Sequence, residues 1–144
     1  MSSNWMKKMH AMLPLNFQEE HVKEVLDELR LPNRLHEVFP VGNRSIVPDF
    51  FLPEQNLVIE CWRSGSRRGA ALTWVEGKAA YVDLKFSRLK ANYPGIRCLA
   101  LVEVPQVDLA SLHEVVGSVM VHADSMTYTM REFQEVVREL AGVC

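Results

Sequence analysis

Cysteine is scarce in this chain of 144 residues, and long apolar runs are absent from it. The three cysteines, Cys61, Cys98 and Cys144, are odd in number and show no CxxC spacing, so we expect free thiols in a reducing, cytoplasmic setting. No segment approaches the roughly 20 consecutive apolar residues of a membrane span. Charged residues interrupt the first thirteen positions, which gives no support to a signal peptide. The composition therefore predicts a cytoplasmic protein without membrane contact.

An excess of charge and the common phosphate-binding motifs are lacking as well. The formal net charge is −2 and the pI is about 6.2, so no overall field attracts nucleic acid, and such binding requires a local basic cluster. The five histidines have no metal-ligand spacing, and neither a glycine-rich phosphate loop nor a serine-centred elbow is present. P-loop nucleotide hydrolysis and serine hydrolase chemistry thus have no support.

The chain does contain enough apolar sequence for one core. Hydrophobic residues make up 48% of it and charged residues 24%, which fits a single domain over residues 16–144. The sequence of residues 1–15 predicts an amphipathic arm, because apolar side chains recur there at helical spacing. These side chains are Trp5, Met6, Met9, Met12 and Leu13. The arm packs either on the domain or on a second subunit, and because so short a chain has little core left to cover, we expect a homodimer.

The predicted elements follow the order α-β-β-β-α-β-α-β-α, which describes a mixed α/β sheet of the α+β type flanked by helices. A capping box from Asn16 to Glu19 opens the first helix, which we expect to end near Pro32. The other helices are predicted at residues 73–92, at 109–116 and after Thr129, and the strands at 35–41, 45–52, 57–62, 96–104 and 118–122. Strand, helix and strand over residues 57–104 predict a right-handed crossover and a parallel pair.

Two carboxylates in apolar strands are the most informative feature of the chain. The strands over residues 45–52 and 57–62 predict a hairpin with Asp49 on one arm and Glu60 on the other. An uncompensated carboxylate in an apolar setting costs several kcal/mol or more, and a divalent cation is one remedy. Together with the main-chain carbonyl of Cys61, the two acids would provide oxygen ligands for Mg²⁺. Otherwise Asp49 is an acid near a turn and Glu60 a solvent-facing strand residue.

The sequence Pro48-Asp49, with Glu60 on the next strand, resembles the PD-(D/E)XK nuclease superfamily. In that superfamily an Asp after a Pro and a Glu or Asp on the next strand hold magnesium, and a Lys two positions later serves the attacking water. Trp62 occupies that lysine position here, and an indole can neither neutralise charge nor move a proton. The resemblance implies a restriction-endonuclease-like core, α-β-β-β-α-β, over about residues 17–104, with additional C-terminal α/β elements. It also implies DNA as substrate and Mg²⁺ or Mn²⁺ as cofactor.

The missing cation has two candidates on the helix over residues 73–92. Lys78 and Lys85 fall roughly 40–60° to one side of Val82, which lies in the middle of the buried stripe. Since some members of the superfamily carry their lysine on this helix, the resemblance implies the same role for Lys85 or, less favoured, Lys78. Alternatively, both lie over apolar surface with their ammonium groups in water. Glu19 is a further candidate acid on the core-side edge of the first helix, although its capping box is sufficient to explain it.

A basic, glycine-containing loop follows the Glu60 strand. Its arginines, Arg63, Arg67 and Arg68, stand where a phosphate backbone would pass, and such residues set affinity without reading sequence. The alternative is an ordinary solvated loop. Trp62 stacks on a base or packs beneath this loop, and packing is the commoner fate of a strand tryptophan.

These patterns lead first to a metal-dependent endonuclease that cleaves DNA, with Asp49 and Glu60 as metal ligands. A second interpretation is a catalytically silent relative that keeps the fold for nucleic-acid binding or protein interaction, and Trp62 is the residue that separates the two. In a third, the chain is a small α/β domain with an accidental similarity, which would leave Asp49 and Glu60 far apart.

Overall fold

The computed structural model describes residues 15–63 and 72–142, which form a mixed five-stranded sheet with helices on both faces and a separate two-stranded hairpin. The elements are α1 Phe17–Glu28, β1 Arg34–Leu35, β2 Phe39–Val41, β3 Arg44–Ile46, β4 Phe50–Leu52, β5 Leu57–Arg63, α2 Leu72–Asn92, β6 Arg97–Glu103, α3 Leu109–Val119, β7 Ser125–Thr127 and α4 Met130–Ala141. The predicted α+β class with a mixed sheet is confirmed. Within the described ranges, no helix combines the length and apolarity needed to cross a bilayer.

The sheet has the strand order β1-β4-β5-β6-β7. Its first three strands are antiparallel, whereas β5, β6 and β7 are parallel to one another. The predicted hairpin between β4 and β5 and the predicted parallel crossover from β5 through α2 to β6 are therefore both confirmed. Leu57, Val58 and Ile59 of the central strand β5 are fully buried, which is typical of a strand covered on both faces.

The segment before β4 contains more and shorter strands than predicted. The single strand expected at residues 35–41 is divided, because His36 has a φ of 52° and turns the chain between β1 and β2. The strand expected at 45–52 is divided as well. Its first part pairs with β2 through the turn at Gly42, where φ is 63°, and its second part pairs with β5. The structure thus has two small antiparallel units where one continuous meander was predicted.

Helix α1 begins as its capping box predicts. The Asn16 side chain accepts a hydrogen bond from the Glu19 N–H at 2.8 Å, and Glu19 Oε1 accepts one from the Asn16 N–H at 3.1 Å. The helix ends at Glu28, earlier than predicted, because Arg30 adopts a φ of 57° and redirects the chain before Pro32. The predicted arm over residues 1–15 lies, apart from Leu15, outside the described residues, so the homodimer stays a prediction.

The crossover helix α2 presents the predicted apolar stripe to the sheet. Its members, at spacings of four and three, are all buried: Val75, Ala79, Val82, Phe86 and Leu89. They pack with Val58 and Trp62 of β5 and with α3 in one core cluster, while α1 and α4 cover the opposite face of the sheet. This stripe fixes the rotation of α2 about its axis and hence the direction in which Lys85 projects.

The strand predicted at residues 118–122 is wrong. Helix α3 continues to Val119, and the last strand is β7, further along the chain. The intervening loop is held by side chains instead of a strand ladder. Asp83 of α2 accepts a hydrogen bond from the His122 N–H at 2.8 Å, and Asp124 accepts one from the Cys98 N–H and one from Lys90, both at 2.7 Å. Asp108 and Thr129 cap α3 and α4 as predicted.

Phe86→Ala should destabilise the protein by about 3–5 kcal/mol, because Phe86 is fully buried between α2 and the sheet and its removal leaves a cavity. Leu84→Ala on the same helix is the control. Leu84 is 47% exposed, and its loss should cost less than about 1 kcal/mol. Urea unfolding of both variants measures the difference, and equal losses would contradict the assignment of the buried stripe.

Candidate functional site

A cavity of about 530 Å³ lies where the start of α1, the Glu60 end of β5 and one side of α2 meet. Eight of the ten predicted site residues line it: Glu19, Asp49, Glu60, Cys61, Trp62, Arg63, Lys78 and Lys85. The other two, Arg67 and Arg68, lie outside the described residues. The predicted site residues that the structure describes therefore lie together in one cavity, although they are far apart in the sequence.

Asp49 and Glu60 meet because of the register between β4 and β5. Phe50 pairs with Ile59, so the preceding residue, Asp49, stands opposite Glu60 at the point where the two strands separate. The Asp49 N–H donates a hydrogen bond to Glu60 Oε2 at 2.8 Å. The two acids therefore lie side by side, and not far apart as the third interpretation expected.

The Asp49 carboxylate is half-buried and receives hydrogen bonds from Cys61. Oδ2 accepts the Cys61 N–H at 2.8 Å, and the Cys61 thiol lies 3.6 Å from the same oxygen. Burial and the neighbouring Glu60 charge raise the pKa of Asp49 to about 8. Burial and these carboxylates also raise the pKa of the Cys61 thiol, which therefore stays protonated. Asp49 carries a proton at pH 7 unless a nearby cation offsets its charge.

Glu60 is paired with Lys85. The Lys85 ammonium group contacts Glu60 Oε1 directly and donates a second hydrogen bond to the Val47 carbonyl at 3.3 Å. Burial alone would lower the pKa of Lys85, but the Glu60 carboxylate raises it above its usual value, so Lys85 is charged. The ion pair provides the cation that a carboxylate only 4% exposed requires.

The two helix lysines have different surroundings. Lys85 reaches Glu60, whereas Lys78 lies on the cavity wall with its ammonium group 5.4 Å from the centroid of the Tyr81 ring. The preference for Lys85 over Lys78 in contacting the strand carboxylate agrees with this geometry. Lys78 therefore contributes a positive charge to the cavity wall without contacting the strand carboxylates.

Glu19, His36 and Asp49 form a cluster that could hold a metal ion. One carboxylate oxygen of Glu19, one of Asp49 and one ring nitrogen of His36 all lie within 4.8 Å of each other. Oxygen and imidazole donors in such a group suit a divalent metal. Glu19 also keeps its capping bond to Asn16, so the capping and site roles predicted for it are compatible.

Sequence reasoning missed His36. No second ligand stands at a recognisable spacing from it, and its position depends on non-local strand pairing. The His36 N–H donates to the Asp49 carbonyl at 3.3 Å, which places it opposite Asp49 across β1 and β4. The only local signal is the end of a short strand followed by a polar pair, His36-Glu37, which is too common to identify a ligand.

Trp62 and its neighbour Arg63 point in opposite directions at the end of β5. Trp62 is 6% exposed and packs in the core cluster beside α2, and its indole N–H has no hydrogen-bond partner among the described residues. Its carbonyl accepts a bond from Gln18 Nε2 at 3.1 Å. These contacts favour packing over base stacking for Trp62. Arg63 is exposed on the cavity wall, as the predicted phosphate contact requires.

In comparisons with protein-family models, curated proteins and solved structures, no family, protein or structure matches the chain.

Asp49→Asn should stabilise the protein in the absence of metal, because the amide keeps the Cys61 contact and cannot ionise in this half-buried position. A carboxyl whose pKa is raised from 3.8 to about 8 by folding lowers stability as the pH rises between these values. The gain should therefore be smallest near pH 4 and reach its maximum above pH 8, where it should exceed about 1 kcal/mol, or roughly 3 °C in melting temperature. Thermal melts in EDTA measure it. A gain that does not depend on pH would contradict the assigned titration.

Proposed function

We propose that the protein is a metal-dependent nuclease of the PD-(D/E)XK type, with a restriction-endonuclease-like core, that cleaves DNA phosphodiester bonds. The observation that carries the proposal is the contact of Lys85 with Glu60 beside Asp49. Two neighbouring strand acids with a lysine at one of them are the set that the superfamily uses. Here the lysine comes from the crossover helix, which explains how Trp62 can occupy the usual lysine position.

The topology supports the proposal. Helix α1, the antiparallel strands β1, β4 and β5, the crossover helix α2 and the parallel strand β6 follow the order of the nuclease core. The hairpin of β2 and β3 is an insertion in this order, and α3, β7 and α4 are additions after it. The carboxylates stand next to the crossover helix, which carries the lysine in some members of the superfamily.

Asp49 would be the central ligand of a divalent metal. Glu19 and His36 lie within reach of the same ion, and the main-chain carbonyl of Cys61 faces the Asp49 side, because the N–H and C=O of a strand residue point the same way. A bound cation would offset the effect of burial and of the Glu60 charge, which together raise the pKa of Asp49. The metal would polarise the phosphate and lower the pKa of the attacking water.

Lys85 and Glu60 would act as a pair beside this centre. Lys85 neutralises Glu60 and is held by the Val47 carbonyl, so its ammonium group has a fixed position in the cavity. A fixed cation next to the reacting phosphate stabilises charge that develops in the transition state without further reorganisation. Glu60 also fixes the Asp49 main chain through its second oxygen. The pair thus orients the site in addition to balancing its charge.

With Mg²⁺ or Mn²⁺, the protein should cleave DNA, and Asp49→Asn should abolish cleavage because the metal loses its central ligand. Glu60→Gln and Lys85→Met should each lower the rate by about 10²–10³-fold. Lys90→Met is the matched control, since Lys90 lies on the same helix in an ion pair with Asp124 and does not line the cavity. Single-turnover cleavage of labelled single-stranded, duplex and branched DNA measures these rates.

Full activity of Lys85→Met would contradict the role assigned to Lys85. If the protein binds DNA but cleaves none of these substrates in the presence of metal, the proposed nuclease activity is contradicted. The alternative of a catalytically silent nucleic-acid-binding module would then be favoured. Circular dichroism of each variant separates loss of chemistry from loss of fold.

The imidazole of His36 should make Mn²⁺ bind about tenfold more tightly than Mg²⁺, because Mg²⁺ favours oxygen donors whereas Mn²⁺ also accepts nitrogen. His36→Ala should remove most of this preference and change Mg²⁺ affinity by no more than about twofold. The control is His21→Ala, since His21 is an exposed residue of α1 outside the cluster. Isothermal titration without DNA gives both affinities. An unchanged Mn²⁺ preference in His36→Ala would remove His36 from the ligand set.

A further inference from the structure

Resting on the proposed function, we propose that the cavity binds a single strand of DNA in preference to a duplex, with Phe17 and Tyr81 stacking on unpaired bases at its rim. Both aromatic residues line the cavity that contains the carboxylates, and both are exposed. Neither belongs to a core cluster of the described residues.

Phe17 is the most exposed large apolar residue of the described chain, at 77%. It is the first residue of α1, and its neighbour Gln18 is buried and bound to the Trp62 carbonyl and to Glu103. The backbone that carries Phe17 is therefore fixed to the ends of β5 and β6 while the ring faces solvent. A rigidly mounted, exposed aromatic ring has an apolar surface for a ligand to cover.

Tyr81 lies on the α2 side of the cavity and is 57% exposed. The adjacent Val82 belongs to the buried stripe, which keeps the Tyr81 ring at the surface. The ammonium groups of Lys78 and Lys85 lie 5.4 and 5.7 Å from its ring centroid. An aromatic ring beside cations offers a base a stacking surface and its phosphate a charge partner, which is the combination found in single-strand binding sites.

The charges of the lining do not by themselves select a polyanion. The lining contains three acids, Glu19, Asp49 and Glu60, and three basic residues, Arg63, Lys78 and Lys85. Arg63 and Lys78 are the basic residues of this set not already paired with a carboxylate in the cavity, and both are available to backbone phosphates. The aromatic rings supply the contacts that do not depend on charge.

Stacking selects for single strands because the bases of a duplex are already stacked on one another. A duplex offers a protein its phosphates and groove edges, whereas an unpaired base offers a free ring face. Two exposed aromatic residues line the carboxylate cavity, one on α1 and one on α2, and therefore favour a strand whose unpaired bases can contact both rings.

The test is the affinity of Asp49→Asn, which we expect to bind DNA without cutting it, for a fluorescent oligothymidylate of about 15 nucleotides and for a blunt duplex of the same length. Fluorescence anisotropy should show the single strand bound at least about tenfold more tightly. In the same background, Phe17→Leu and Tyr81→Leu should each weaken single-strand binding about tenfold, whereas Phe17→Tyr should retain it. Leucine keeps the apolar area and lacks the ring face, so this pair isolates stacking.

Trp74→Leu is the matched control, because Trp74 is an exposed aromatic residue of α2, at 43%, that does not line the cavity. It should change the affinity by less than about twofold. Equal affinity for duplex and single strand, or equal affinities of Phe17→Leu and Phe17→Tyr, would overturn the inference, as would the absence of DNA binding.

Cleavage by the wild-type chain separates this inference from the proposed nuclease. A single-strand preference that depends on Phe17, without metal-dependent cleavage, would refute the enzyme and keep the binding mode. Cleavage of duplex as fast as single strand, unchanged in Phe17→Leu, would keep the enzyme and refute the binding mode.

Discussion

The buried carboxylate of Glu60 is the constraint on which the rest of the site depends. It lies on the central strand of the sheet, 4% exposed, and such a charge requires a cation in contact with it. Lys85 fulfils this requirement only because α2 crosses over the sheet with its apolar stripe turned inward. The crossover, the rotation of the helix and the parallel pairing of β5 with β6 are therefore all linked to one ion pair.

The parts of the fold that the sequence predicts well are those set by local pattern. The stripe of α2 appears as regular spacing, the capping boxes appear as pairs such as Asn16 and Glu19, and the hairpin carrying Asp49 and Glu60 follows from two apolar runs around a polar turn. The juxtaposition of the two acids was predictable for the same reason. Short antiparallel strands with a short turn have few registers available.

The features of the fold that could not be predicted depend on contacts between residues distant in sequence, or on backbone angles that the residue type does not indicate. His36 reaches Asp49 through pairing of β1 with β4, and its positive φ divides what looks like one strand. The apolar residues around Ser118 and His122 suit a strand, yet α3 continues to Val119. The loop after it is held by the bond from the His122 N–H to Asp83 and by the bond from the Cys98 N–H to Asp124. A side chain that satisfies main-chain groups from a distance leaves no periodic trace in the sequence.

Gln18 joins three elements at one point, because its amide donates to the Trp62 carbonyl of β5 and to the Glu103 carboxylate of β6. The start of α1 is thereby attached to the ends of two parallel strands, whose separation is set by their ladder at about 4.8 Å. The wall of the cavity at the start of α1 is thus attached to the sheet by side-chain hydrogen bonds. We therefore expect a ligand that needs more room to displace α2 more readily than the start of α1.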